Sequence, residues 1–231
     1  MKIRQLNKMF LIEYLKLAAL ILIGFLLIDV VYCCLFKNSS NLCLHWMCGT
    51  NDEPISIAMI ILKLLNISLI FMYVGSVCER FGKKYMVQVF CRISKCIPFV
   101  MEYTLLLVIH SSILLICSHY IFYCVSGAMP DVIYICRYFL LDSLSLDGLI
   151  LIYIMLNNSE MKDWSLLLVM GILVINTFSP IPLPFAASTI RFIEMSNQLG
   201  YFRLYFSTFV CLIFIIGVYA CFFSRRRYSL C

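Results

Sequence analysis

Apolar residues gather into six long stretches, roughly 17–36, 55–77, 97–124, 132–156, 165–185 and 204–223, with the polar residues collected between them. A hydrocarbon core of about 30 Å is crossed by on the order of 20 helical residues, and every stretch reaches that length. Backbone N–H and C=O groups find no water in lipid, so a spanning segment must satisfy them internally, as a helix does. The pattern therefore predicts an all-α integral membrane protein of six transmembrane helices. Its longest connections, 37–54, 78–96 and 186–203, are too short for a separate soluble domain, so residues 1–231 read as a single transmembrane domain.

The segments flanking the spans carry their own signals. Residues 1–16, MKIRQLNKMFLIEYLK, place Ile3, Leu6, Met9 and Phe10 at helical spacing among Lys2, Arg4, Lys8 and Glu13. This basic amphipathic pattern predicts a helix that lies in the cytoplasmic interface and bends into the first span. No small-residue cleavage site follows the first apolar run, so the segment is not read as a signal peptide. The fifth span closes in SPIPLPF, whose prolines end regular helix. Beyond it, Ile190, Ile193 and Leu199 alternate with Arg191, Glu194, Asn197 and Gln198. That stretch is too polar to span and predicts a short, broken exterior segment between spans 5 and 6.

Charge orients the pattern. With a cytoplasmic N-terminus, the inside segments hold Lys2, Arg4, Lys8, Lys16, Arg80, Lys83, Lys84, Arg92, Lys95, Lys162, Arg225, Arg226 and Arg227, thirteen of the eighteen Lys and Arg residues. The outside segments hold Lys37, Arg191 and Arg203, while Lys63 and Arg137 fall inside spans. Thirteen against three is a positive-inside asymmetry, and it places both termini in the cytoplasm. The formal charge of +6 does not point to nucleic acid, because the bases are mostly juxtamembrane, where anionic headgroups of the bilayer neutralise them.

Thirteen cysteines are present, and those within the spans act as small polarizable hydrophobes. No C-x-x-C pair or zinc spacing occurs, so no metal site is predicted. Cys43 and Cys48 share an exterior loop, and the sequence leaves both the bridged and the reduced form open. Nor is there a G-x-x-x-x-G-K-[ST] motif, so nucleotide chemistry would have to come from another chain.

The connection between spans 2 and 3 reads Cys78-Glu-Arg-Phe-Gly-Lys-Lys-Tyr-Met-Val-Gln-Val-Phe-Cys-Arg-Ile-Ser-Lys95 and carries five of the thirteen inside bases. Its Arg80-Phe-Gly-Lys-Lys-Tyr85 core, followed by Ile93-Ser-Lys95, resembles the cytoplasmic loop of type-2 permease subunits of bacterial ATP-binding-cassette exporters. In that family an R-[YF]-G-[ST]-[RK]-x₂-W pattern precedes an [ILV]-[ST]-K leading into span 3; here the Ser or Thr after the glycine is missing and Tyr85 stands near the aromatic position. The interfacial first helix, the six spans with both termini inside and the broken segment before span 6 match the layout of the same family. The resemblance implies a multi-pass protein of the bacterial cytoplasmic membrane. It would form part of an export path for a peptide or other amphipathic substrate, as in small bacteriocin and lantibiotic export or immunity permeases. It implies pairing with a separate ATPase subunit, which would hold the ATP and Mg²⁺, and with a second permease copy or a paralogue. It also gives Arg80, Phe81, Gly82, Lys83, Lys84, Tyr85, Arg92 and Lys95 the role of an ATPase-coupling loop. No cofactor is expected on this chain, and no catalytic residue; ATP hydrolysis would belong to the partner.

Ionisable residues inside the spans form a second signal. Asp29, Lys63, Glu102, Arg137, Asp142 and Asp147 each lie where an isolated charge costs about 2.5–3.5 kcal/mol. Asp29, Glu102 and Arg137 read as span-end charges able to reach the interface, whereas Lys63 and Asp142 are deeper. Arg137, Asp142 and Asp147 follow one another at intervals of five, so they wind around the fourth span and need partners on other spans, or a polar cavity. Such residues also suit a proton-coupled carrier or an accessory membrane protein without an ATPase. No three-span internal repeat is visible, which weighs against an inverted-repeat carrier. A last alternative is a membrane Cys peptidase using His110 and Cys117. Seven residues separate that pair, which on a helix is two turns, about 10 Å, and no helix breaker lies between them.

Overall fold

In this computed structural model, residues 3–37, 57–81, 96–127, 132–178 and 200–226 are described. They form six helices, α1 (Ile3–Leu35), α2 (Ile57–Phe81), α3 (Cys96–Ser126), α4 (Val132–Asn157), α5 (Ser165–Phe178) and α6 (Tyr201–Arg226), with a 3₁₀ turn, Lys162–Trp164, leading into α5. No strand occurs among the described residues. Five of the helices contain windows long and apolar enough to cross a membrane: Leu15–Leu35, Ile57–Glu79, Met101–Ser126, Cys136–Asn157 and Tyr201–Phe223. They coincide with five of the six apolar stretches. The described part of α5, at 14 residues, rises about 21 Å and falls short of a full crossing. The remainder of the 165–185 stretch, the SPIPLPF run and the broken segment after it lie outside the described residues.

Helix α1 joins the amphipathic residues and the first span in one element of 33 residues, with no interruption near Lys16. At 1.5 Å per residue it is about 50 Å long, some 20 Å more than a hydrocarbon core needs.

Polar residues within the helices keep the backbone continuous. The hydroxyls of Ser111, Ser145 and Thr208 donate to the carbonyls of Leu107, Leu141 and Leu204 one turn back, at 2.7, 2.8 and 2.9 Å. This back-bonding lets a hydroxyl enter an apolar span without an unsatisfied donor. Helix α3 ends where Gly127 turns to φ 66°, its N–H closing on the Tyr123 carbonyl at 3.0 Å, a left-handed stop that glycine supplies without steric penalty.

Helix α4 is central: 56% of its membrane window is buried, against 11% for α6. It packs on α2, α3, α5 and α6, while α1 lies along α2 and α3. The close approach of α2 and α4 depends on Gly75, where a Cβ would collide with the buried hydroxyl of Tyr153. Two apolar clusters result. The larger gathers Phe25, Phe71, Val77, Leu107, Ile150 and Leu173, and the smaller gathers Tyr32, Met59, Phe122, Tyr138 and Leu204. Outward faces are apolar as well, with Leu20, Leu167, Phe202 and Phe214 all more than 60% exposed. A surface of this kind has lipid as its solvent rather than water.

Candidate functional site

Where the two apolar clusters meet, α2, α3 and α4 line a small, partly open cavity of about 30 Å³. Lys63 and Asn66 of α2, Ser118 and His119 of α3, and Tyr138 and Asp142 of α4 face it, together with Ile67, Ile70 and Leu115. The local sequence makes this convergence: positions three or four apart share one helix face, so Lys63 with Asn66, Leu115 with Ser118 and His119, and Tyr138 with Asp142 each form a single patch. The Ser118 hydroxyl donates to Asn66 Oδ1 at 3.1 Å, tying α3 to α2. Across the cavity His119 Nε2 lies 3.4 Å from Asp142 Oδ2, with 12% and 9% of their side chains exposed. No aligned hydrogen bond forms at that spacing, and neither ring nitrogen of His119 has a hydrogen-bond partner. The ring is held by α4 aromatics, its centroid 5.7 Å from Tyr138 and 6.1 Å, edge-on, from Phe139.

A second polar layer lies two turns along the α3–α4 seam. Ser112 and Ser143 hydroxyls are 3.5 Å apart, and the neighbouring Asp147 carboxylate has its Oδ1 buried without a hydrogen-bond partner. Farther along α3 toward its start, the Tyr73 hydroxyl meets His110 Nδ1 at 3.2 Å, and Thr104 pairs with Tyr219.

The five-residue spacing in α4 thus sends its charges to different neighbours. Asp142 faces Lys63 and His119, Asp147 faces Ser112, and Arg137 is exposed over the Tyr201 ring of α6 at 4.9 Å. Glu102 is half-buried toward the start of α3, about 25 Å from His119 along the helix, and takes no part in the cavity. Asp29 corrects the reading of a span-end charge reaching the interface. It is fully buried, and both carboxylate oxygens lack a hydrogen-bond partner, because α1 turns this position inward against its neighbours.

His110 and Cys117 are not brought together. Helix α3 runs unbroken between them, and His110 is engaged by Tyr73 of α2. Of the expected coupling loop, Arg80 and Phe81 complete α2, while Gly82, Lys83, Lys84, Tyr85, Arg92 and Lys95 lie outside the described residues, as do Cys43 and Cys48. The loop's point of departure is nevertheless fixed. Glu79 Oε1 lies 3.9 Å from Lys162 Nζ, so the 78–96 connection leaves the bundle beside the 158–164 turn. Both partners are about half exposed, and the pair adds little stability. Trp164 is exposed on the same turn, a placement that suits an aromatic ring at a membrane–water interface.

His119, Asn66 and Ser118 are functional candidates that the sequence did not single out. Each lies in a predominantly apolar helix, and only helix adjacency assembles them. No protein-family model matches the chain, and neither the curated proteins nor the solved structures compared with it contain a match.

Proposed function

We propose that this chain is a six-span permease with both termini in the cytoplasm, serving as the membrane subunit of an ATP-binding-cassette exporter in a bacterial cytoplasmic membrane. The observation that carries the reading is the basic 78–96 connection. It concentrates five inside bases between spans 2 and 3 and leaves the bundle beside the other expected cytoplasmic turn. In this reading the loop docks on a separate ATPase, which supplies ATP and Mg²⁺. A second permease copy or a paralogue completes the path, and the cargo is a peptide or another amphipathic molecule. Residues 3–16 carry α1 beyond a single crossing as a basic extension on the cytoplasmic side.

Co-purification tests this directly. The tagged chain should bring down an ATP-binding-cassette ATPase from the native membrane, and recovery without one would remove the exporter reading. Topology is checked separately with a membrane-impermeant maleimide. Cys43 or Cys48 should react from outside, after reduction if bridged, while Cys91 and Cys231 should react only after permeabilisation. Outside labelling of Cys231 in intact cells would overturn the six-span arrangement.

The buried Lys63–His119–Asp142 cavity favours a second reading, a proton-coupled carrier without an ATPase, since intramembrane ionisable residues facing a polar cavity are the usual elements of a proton path. The two readings part on the energy source: vanadate-sensitive transport belongs to the first and uncoupler-sensitive transport to the second.

A further inference from the structure

We propose that the α3–α4 seam holds a binding site for one Na⁺ ion, with the Asp147 carboxylate and the hydroxyls of Ser112 and Ser143 as its protein ligands. Ser143 and Asp147 are four apart on α4 and so share one face, and Ser112 meets that face from α3. Three observations carry the site. First, Asp147 Oδ1 is buried and accepts no hydrogen bond, and among the described residues no Lys, Arg or His pairs with this carboxylate. An oxygen of that kind inside a span calls for a cation or a donor. Second, the Ser112 and Ser143 oxygens stand 3.5 Å apart, beyond the roughly 2.5–3.0 Å of a formed hydroxyl hydrogen bond. Third, neighbouring hydroxyls of the same two helices are committed elsewhere. Ser111 and Ser145 donate to carbonyls one turn back, and Ser118 donates to Asn66, whereas Ser112 and Ser143 turn toward each other across the seam.

Donor type, charge and spacing select the ion. Carboxylate and hydroxyl oxygens are hard donors, suited to alkali and alkaline-earth ions. No group of three His, Cys, Asp or Glu residues among the described residues offers a transition-metal site. One carboxylate with two neutral hydroxyls brings a single negative charge. A monovalent ion cancels it, whereas a divalent ion would leave a net charge inside the span, where it is costly. Two oxygens 3.5 Å apart subtend a right angle at an ion about 2.5 Å from each, a distance typical of Ca²⁺ and of Na⁺, whose radius is nearly the same. The larger K⁺ would have to spread the seam. All three side chains are half-buried, so the seam admits an ion while Oδ1 itself is shielded. The site is indifferent to whether ATP or an ion gradient drives the protein, so its test does not depend on the exporter reading.

The experiment is equilibrium binding of radiolabelled Na⁺ to the full chain in nanodiscs of zwitterionic lipid, in alkaline buffer with choline chloride holding ionic strength constant. Binding should saturate at one ion per chain, with K⁺ competing at least tenfold less well. D147N should abolish it, and S112A and S143A should each weaken it tenfold or more. S145A, whose hydroxyl is already engaged by the Leu141 carbonyl, should leave it unchanged. Na⁺ should also raise the unfolding temperature of the parent and not that of D147N, since a ligand stabilises only a protein that binds it. No saturable binding, equal competition by K⁺, or a D147N protein that binds as the parent does overturns the assignment. If D147N fails to fold, the serine variants decide, and full binding by both removes the site. A carboxyl that serves only as a hydrogen-bond partner of the serines would bind no Na⁺ and unfold at the same temperature with or without it.

Discussion

Asp142→Leu should be the most damaging single substitution in the membrane-spanning part of the chain, lowering stability by about 3–5 kcal/mol. That is the range for removing one partner from a buried charge pair, because the partner left behind keeps its desolvation cost without compensation. Asp142 is buried on α4 with His119 Nε2 at 3.4 Å from its carboxylate, and Lys63 of α2 is buried on the same cavity. Leucine fills the volume but offers nothing to an ammonium or an imidazole. Asp142→Asn keeps the shape and an acceptor oxygen, so it should retain more of the stability. Asp163→Leu, on the exposed turn before α5, should stay within about 0.5 kcal/mol of the parent. Thermal unfolding in nanodiscs ranks the three, and vesicle transport read in parallel shows whether Asp142→Asn, the better-folded variant, also loses function. If Asp142→Leu unfolds with the parent, the cavity does not hold a coupled charge set.

Much of the fold was legible because spanning helices are local objects. An apolar run such as 132–156 has only one way to satisfy its backbone in lipid, and α4 occupies Val132–Asn157. The winding of Arg137, Asp142 and Asp147 around α4 was legible for the same reason, since five-residue steps on a helix cannot stack. What they meet was not. Tyr201 lies 64 positions from Arg137 in sequence and Ser112 lies 35 from Asp147, and nothing in the pattern states which helices adjoin. Asp29 was misread for a related reason. Its distance from the span end suggested the interface, but the direction of its side chain depends on the packing of α1 against α2 and α3. The coupling segment is the opposite case, argued entirely from residue types and position.

That segment gives the largest expected effect on association. Changing Phe81 and Tyr85 together to Ala should weaken ATPase binding by about 2 kcal/mol or more, roughly 30-fold, since aromatic anchors at the centre of an interface carry most of its energy. The substitutions leave Arg80, Lys83, Lys84, Arg92 and Lys95 in place, so the positive-inside signal and membrane insertion should persist. Lys83→Glu with Lys84→Glu should weaken association through charge instead, by opposing an acidic cleft on the partner. That loss should shrink as salt is raised, because exposed charges are screened within about 8 Å at physiological ionic strength. The Ala pair should show no such salt dependence. Because the Glu pair also erodes the charge asymmetry, its orientation must first be confirmed by maleimide labelling of Cys231. Pull-down of the ATPase and stimulation of its hydrolysis in nanodiscs provide the two readouts. Full binding and full stimulation by the Ala pair would show that force reaches the spans by another route, and the 158–164 turn beside Glu79 would be the next surface to probe.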